Sequence, residues 1–307
     1  PAKGNYPGVA FGPVTITGPL NDAWPPASHT KLLGEADLET AGMREAEEIL
    51  SRFLPRAFRR PAHADELKRY LGMVEDHLEK DRAFEDSLRV ALVAALCSPN
   101  FLYMDETLHP ESRELHAHEL ATRLSYFLWS SMPDEELFKS AEDGSLLKPD
   151  GLNRQVERML DDPRSEQFTH NFVGQWLRLR EINETTPDRK LYAEYDELLQ
   201  HSLLRESEAF FQHLLDENLS VANCLDSDFT IMNERIARHY DVDDVKGLAM
   251  RKVSLKPDSV RGGVLTQGAV LKVTANGTNT SPVLRGVWAL ENVLGKTPRP
   301  PPPEIEG

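Results

Sequence analysis

The sequence predicts a mainly α protein, a multi-helix, bundle-like body with one small β element. Three observations carry this. Apolar residues recur at three- and four-residue spacing through most of the chain. Pro, Gly and short polar caps punctuate those runs where helices would end. Strand-like patterning is confined to short stretches near residues 9–17 and 250–255.

Residues 1–35 read as an extended arm. VAFGPVTITG alternates enough for a short strand or hairpin, and WPPASH is a connector, because each residue before a proline is pushed out of the helical region. The Trp24 ring is expected to staple the arm to the body.

Residues 36–112 form an N-terminal helical region. Ala46, Ile49, Leu50, Phe53 and Leu54 share a face, and Pro55 kinks or ends their helix. Arg56, Arg59 and Arg60 make a basic cluster, read as partners for nearby carboxylates in preference to an anion site. HADELKRYLGMVEDHLEK is amphipathic, and FEDSLRVALVAAL is apolar enough to lie at the centre of its bundle.

Residues 113–297 form the main helical region. In His116–Ser131, Leu120, Leu124, Phe127 and Leu128 face inward, with Arg123 on the side of Phe127, as an ion-pair centre or part of a site. His116 and His118 stand two apart, which points their rings different ways on a helix, and no metal site is expected. Phe168, Phe172 and Trp176 form a stripe read as core. A long helix covers Tyr195–Leu215, Asn233 caps ERIARHY, and His239 at the end of that helix is favoured in its charged form. MRKVSL is a strand, expected to pair near Val14–Thr17.

The stretch 261–295 stands out as helix, polar loop, helix. Val264, Leu265, Ala269, Val270 and Leu271 give the first apolar face. Thr274, Asn276, Thr278, Asn279 and Thr280 fill the loop, with Gly277 free to take a positive φ. Ser281 caps the second helix, Pro282 occupies its first turn, and Gly295 ends it. Val283, Leu284, Val287, Trp288, Leu290, Val293 and Leu294 make its apolar face. Such a loop is either a site or only a well-capped connection.

Bulk properties narrow the function. A net charge of −15 over 307 residues argues against nucleic acid and anionic membranes, which need clustered Lys and Arg. No apolar run is long enough to span a bilayer. Of the two cysteines, Cys97 is expected as a buried free thiol, and a pairing with Cys224 stays open. No CxxC, CxxCH or zinc spacing occurs. The Pro-rich 298–307 reads as a spacer toward a further segment, so the chain reads as a piece of something longer.

Several phrases carry a resemblance: FLPRAFRRP (53–61), ALCSPNFLY (95–103), ELATRLSYFLWSSMPDEEL (119–137), MLDDPRSEQFTHNFVGQWLRLRE (159–181), DFTIMNERIARHY (228–240) and the whole of 261–303. In this order they resemble the planctomycete cytochrome-c-associated proteins built from serial domains of unknown function, the PSD/PSCyt series. The resemblance implies an extracytoplasmic, periplasmic-type location and haem c in neighbouring domains of the same polypeptide. No cofactor is expected within this chain. The family supplies no catalytic residues to carry over.

Function is therefore expected to be one of three. The first is a helical module supporting redox chemistry or substrate binding beside haem domains, with a small-molecule or carbohydrate substrate. The second is a non-catalytic scaffold or binding module, and the third is a polysaccharide hydrolase using paired carboxylates. For the first, Arg261, Lys272 and Arg285 are candidates to hold an anion or a haem propionate. Gln267, Thr274, Asn276 and Thr280 are candidates to bind hydroxyls, with Ser281 beside them. His239 and Tyr240 are the candidates to move a proton.

Overall fold

The computed structural model describes residues 12–18, 20, 25–104 and 114–298. The chain divides into two compact units, Pro1–Thr122 with Pro133–Gly144, and Arg123–Met132 with Ser145–Gly307. The helices before the long central one are α1 (Ala27–Leu33), α2 (Met43–Phe58), α3 (Ala64–Leu78), α4 (Phe84–Leu96), α5 (Pro99–Leu102), α6 (Ala117–Trp129), α7 (Glu135–Glu142), α8 (Pro149–Asp161) and α9 (Glu166–Trp176). Then come α10 (Glu197–Asp216), β1 (Phe229–Met232), α11 (Glu234–Tyr240), β2 (Arg251–Ser254), α12 (Gly268–Val273) and α13 (Pro282–Asn292). The fold is mainly α with one two-stranded sheet among the described residues.

The first unit is built on α2, α3 and α4, which bury Ile49, Leu50, Leu54, Phe58, Val74 and Leu88 against one another. Pro55 lies inside α2 and does not end it. The basic cluster is consumed internally. Arg59 takes the left-handed conformation that ends α2, at φ 58°, and its buried guanidinium donates to the carbonyls of Asn100, Phe101 and Tyr103. Arg60 grips both oxygens of Glu66. Cys97 differs from expectation. It sits past the end of α4, one turn beyond Val93 on a face where Val93 and Leu96 are also exposed, while Cys224 is buried, and both thiols are free.

The second unit is organised on α10, against which α9, α11, α12 and β1 all pack. Its core includes Val173, Leu203, Phe210, Met232, Ile236, Val270 and Trp288. β2 pairs antiparallel with β1, Phe229 opposite Ser254 and Met232 opposite Arg251. The partner expected for this strand was 9–17. Residues 9–11 and Trp24 lie outside the described residues, and 12–18 take no regular secondary structure. Pairing instead falls to FTIM, whose β-branched and aromatic residues are buried on both faces.

Two apolar faces are less buried than their periodicity predicts. Phe127 is 58% exposed and Arg123 is exposed, while Leu128 is buried. The expected stripe is a ladder of rings: Phe172 stacks on Phe168 and meets Trp176 and Phe211 of α10 at a tilt, yet stays 37% exposed. On α13 only Trp288 is buried, Val283 and Leu284 face outward, and Leu294 just past its end is exposed. Among the described residues no helix is long and apolar enough to cross a membrane.

Candidate functional site

The stretch 261–285 folds as a short 3-10 turn (Val264–Thr266), then α12, a closed loop, and α13. The first expected helix is thus broken, because Gln267 is extended between its two parts. Ala275 and Thr280 face each other across an isolated antiparallel bridge. Inside it, Asn276 Oδ1 accepts from the amides of Thr278 and Asn279 and from the Thr278 hydroxyl. Gly277 takes φ +91°, and a Cβ there would stand 2.5 Å from the Thr186 carbonyl. The Gly277 carbonyl accepts from Asp188 N, which fastens the loop to the segment before α10. Ser281 accepts from Leu284 N and so caps α13.

Beside this loop lies a pocket of about 410 Å³. Tyr192, Tyr195, Leu203 and Leu271 give it mostly apolar walls, and His239, Tyr240, Arg261, Lys272, Thr280 and Arg285 also line it. Glu194 is the sole carboxylate among the lining residues, so a pair of carboxylates for glycoside hydrolysis is not assembled there. A roomier cleft of about 550 Å³ lies between α9, α10 and β2, where His170 Nδ1 is 2.7 Å from Glu208, which also meets Arg205 at 3.2 Å.

The three cations of the pocket are held differently. The Arg261 guanidinium lies 3.4 Å from the centre of the Tyr240 ring and donates to the Thr266 carbonyl. Arg285 donates to the hydroxyls of Thr280 (2.7 Å) and Thr274 (3.4 Å). Neither has a carboxylate within ion-pair distance among the described residues. Lys272 is buried, and its ammonium donates to the Ile182 carbonyl, the Thr185 carbonyl and the Thr185 hydroxyl. An ammonium has three protons to give, and all three are taken. Burial pulls the pKa of Lys272 down.

Next to the pocket lies a buried acid. Glu206 of α10 is 1% exposed. Tyr240 Oη donates to its Oε2 at 2.5 Å, and Thr230 Oγ1 donates to its Oε1 at 3.0 Å. Tyr240 Oη accepts in turn from Gly268 N at 2.6 Å. Burial pushes Glu206 up to about 7 against the lowering pull of these donors and of Arg261. Burial first, and then the Glu206 charge, raise the Tyr240 phenol well above its usual value. His239 departs from expectation. Burial, aided by Arg261 and Arg235, lowers its pKa against the pull of Glu194 3.8 Å away, so the charged form favoured by a helix end is not the outcome.

Six of the ten residues singled out from the sequence therefore share the pocket wall: His239, Tyr240, Arg261, Lys272, Thr280 and Arg285. The other four serve the frame. Gln267 is buried with its Oε1 accepting from Ser207, Thr274 hydrogen-bonds back to Val270, Asn276 builds the turn and Ser281 caps α13. Sequence reasoning missed Glu206, Tyr192, Glu194 and Tyr195. For Glu206 a signal existed: it falls in helical register with Leu199, Leu203 and Phe210, all buried.

Among the described residues no cluster of three His, Cys, Asp or Glu side chains is placed to hold a metal ion. The two lone cysteines, 97 and 224, do not fit covalent attachment of a c-type haem, which takes a CxxCH motif. Three family models match in series. Residues 45–106 match PSD5, a protein of unknown function (DUF1595). Residues 115–242 match PSD4, a protein of unknown function (DUF1592). Residues 261–307 match PSCyt3, a protein of unknown function (DUF1588). No curated protein and no solved structure matches the chain.

Proposed function

Because the chain is built from domains of the PSD/PSCyt series, we propose that its second unit is the ligand-binding module of an exported, cytochrome-c-associated protein, and that its pocket takes a small organic anion with an apolar body. One observation carries the reading. In a protein of net charge −15, Arg261 and Arg285, neither with a carboxylate within ion-pair distance among the described residues, border an apolar-walled cavity. Surplus positive charge beside apolar walls favours a carboxylate head on an aromatic or aliphatic body, because a planar guanidinium can meet both carboxylate oxygens. The pocket volume suits a ligand of that size. Haem belongs to neighbouring domains of the full polypeptide, and redox chemistry on the bound anion would be theirs to supply.

Equilibrium binding of benzoate against its neutral isostere benzamide tests this. Benzoate is expected to bind, benzamide at least about tenfold more weakly, and Arg285→Ala to narrow the difference. Equal binding of the two, or binding of neither, would overturn the reading.

A further inference from the structure

A void of about 10 Å³, close to the room of one water molecule, is bordered by Glu206, Thr230 and Gln267. Tyr240 and Arg261 border both this void and the larger pocket. Gln267 Nε2 reaches no partner among the described residues. Tyr240 is thus the hinge between a sealed acid and an open cavity.

The hydrogen bonds around Glu206 fix what its two protonation states mean. In the arrangement present, both carboxylate oxygens accept, one from Thr230 and one from Tyr240, and the single phenol proton is spent on Glu206. That set of donors is the one an ionised acid requires, and the same oxygen positions accommodate the protonated acid. Put a proton on Oε2 and one bond reverses. Glu206 then donates to Tyr240 Oη, which already accepts from Gly268 N. Both lone pairs of the phenol oxygen are filled, and its own proton is released from the acid. The cavity that Tyr240 lines is where a ligand oxygen would accept it.

We infer that Glu206 is a proton store for the pocket and Tyr240 its relay: a ligand that presents an acceptor oxygen to Tyr240 is bound with uptake of one proton by Glu206. No bond of the ligand is made or broken, and the proton comes from solvent. This rests on the anion-pocket reading and adds to it the linkage between binding and protonation. A carboxylate oxygen or a carbonyl fits the acceptor, so Tyr240 selects for oxygen acceptors where the two arginines select for charge.

Every element packed on Glu206 is consistent with this. The segment before the 3-10 turn brings Arg261, whose charge favours the carboxylate. α11 brings Tyr240, and β1 brings the neutral Thr230. α12 brings the Gly268 amide, and Gln267 is a neutral amide at its start. On α10 itself Arg205 is turned to Glu208, and α9 meets α10 through His170 and Thr169, which hydrogen-bond Glu208 and Gln212. His239 lies past the Tyr240 ring, 5.6 Å between centroids. Burial outweighs these donors and sets the store near neutrality, at about 7.

Two arms test the linkage on the full chain. Infrared difference spectra of the ligand-free protein between about pH 8 and about pH 6 are expected to show a protonated carboxylic band that Glu206→Gln lacks. The same spectra should show a shifted tyrosine ring band that Tyr240→Phe lacks. Calorimetric titration with benzoate at about pH 8, in two buffers of different ionisation enthalpy, is expected to show uptake of about one proton in the native protein. Glu206→Gln, whose amide mimics the protonated acid, should bind benzoate with no uptake and no pH dependence. Tyr240→Phe should keep the carboxylic band and lose the uptake. Absence of a titrating carboxylic band overturns the store whatever benzoate does. A band with no proton uptake on binding overturns the relay. Failure of benzoate to bind at any pH overturns the anion-pocket reading and the relay with it, while the infrared arm still decides the store.

Discussion

Lys272 Nζ donates to both the carbonyl and the hydroxyl of Thr185, at 2.7 Å each, and so braces α12 against the chain that follows α9. Lys272 and Arg285 look alike in the sequence as cations flanking one polar loop, yet their chemistry diverges. Replacing Lys272 by Ala strands the Ile182 and Thr185 carbonyls and should cost about 2–3 kcal/mol in chemical denaturation. Replacing Arg285 by Ala should stay within about 0.5 kcal/mol and lose benzoate affinity instead. Equal stability losses for the two would show that Arg285 is a brace as well.

Burial of Glu206 makes the second unit more stable in mild acid. Its folded pKa lies above the ordinary 4.5, at about 7, so between those values the folded state holds a proton that the unfolded chain has released. The stability it contributes is fully present below pH 4.5 and is lost as pH rises through about 7, with a span of about 3 kcal/mol. Denaturant midpoints measured across that window should fall in the native protein and be flatter in Glu206→Gln.

The first unit should respond in the opposite sense, through Glu66. This carboxylate takes two bonds from Arg60, one from Asn100 and one from His63 N. Arg60 above all, with His63 N, pulls its pKa down to about 2. Its contribution is present above the ordinary 4.5 and is lost as pH falls from there toward about 2. Glu66→Gln should lower stability by about 1–2 kcal/mol at neutral pH and remove part of the acid limb of a pH–stability curve.

Gly277 tests the loop itself. At φ +91°, with the Thr186 carbonyl 2.5 Å from where a Cβ would stand, Gly277→Ala is strained in both backbone and space. A loss of about 1–3 kcal/mol is expected, with faster amide exchange at Asp188, whose N–H is held by the Gly277 carbonyl. An unchanged Asp188 exchange rate would show that the loop is not fastened through this bond.

Local chemistry was legible. Asn233 and Ser281 cap their helices through backbone amides three residues on, as short polar residues before an apolar run should. The 261–285 stretch, read with His239 and Tyr240, located one wall of the pocket because that wall is nearly contiguous in sequence. The rest of the lining, Tyr192, Glu194 and Tyr195, comes from a segment with no periodic signal and is brought there by tertiary packing, Tyr192 Oη donating to the Thr278 carbonyl. Strand pairing failed for the same reason: four residues of FTIM carry too short a pattern to announce a partner. Periodicity also overstated burial on α13, since an apolar face reveals its own direction but not whether anything meets it.

The bridge between Ala275 and Thr280, with Asn276 knotting the turn inside it, has a kinetic consequence. The loop's conformational freedom is given up on folding, before any ligand arrives, so little ordering entropy remains to be lost on binding. Association should then run at nearly the same rate for ligands of different affinity. Residence time becomes the quantity that tells a good ligand from a poor one.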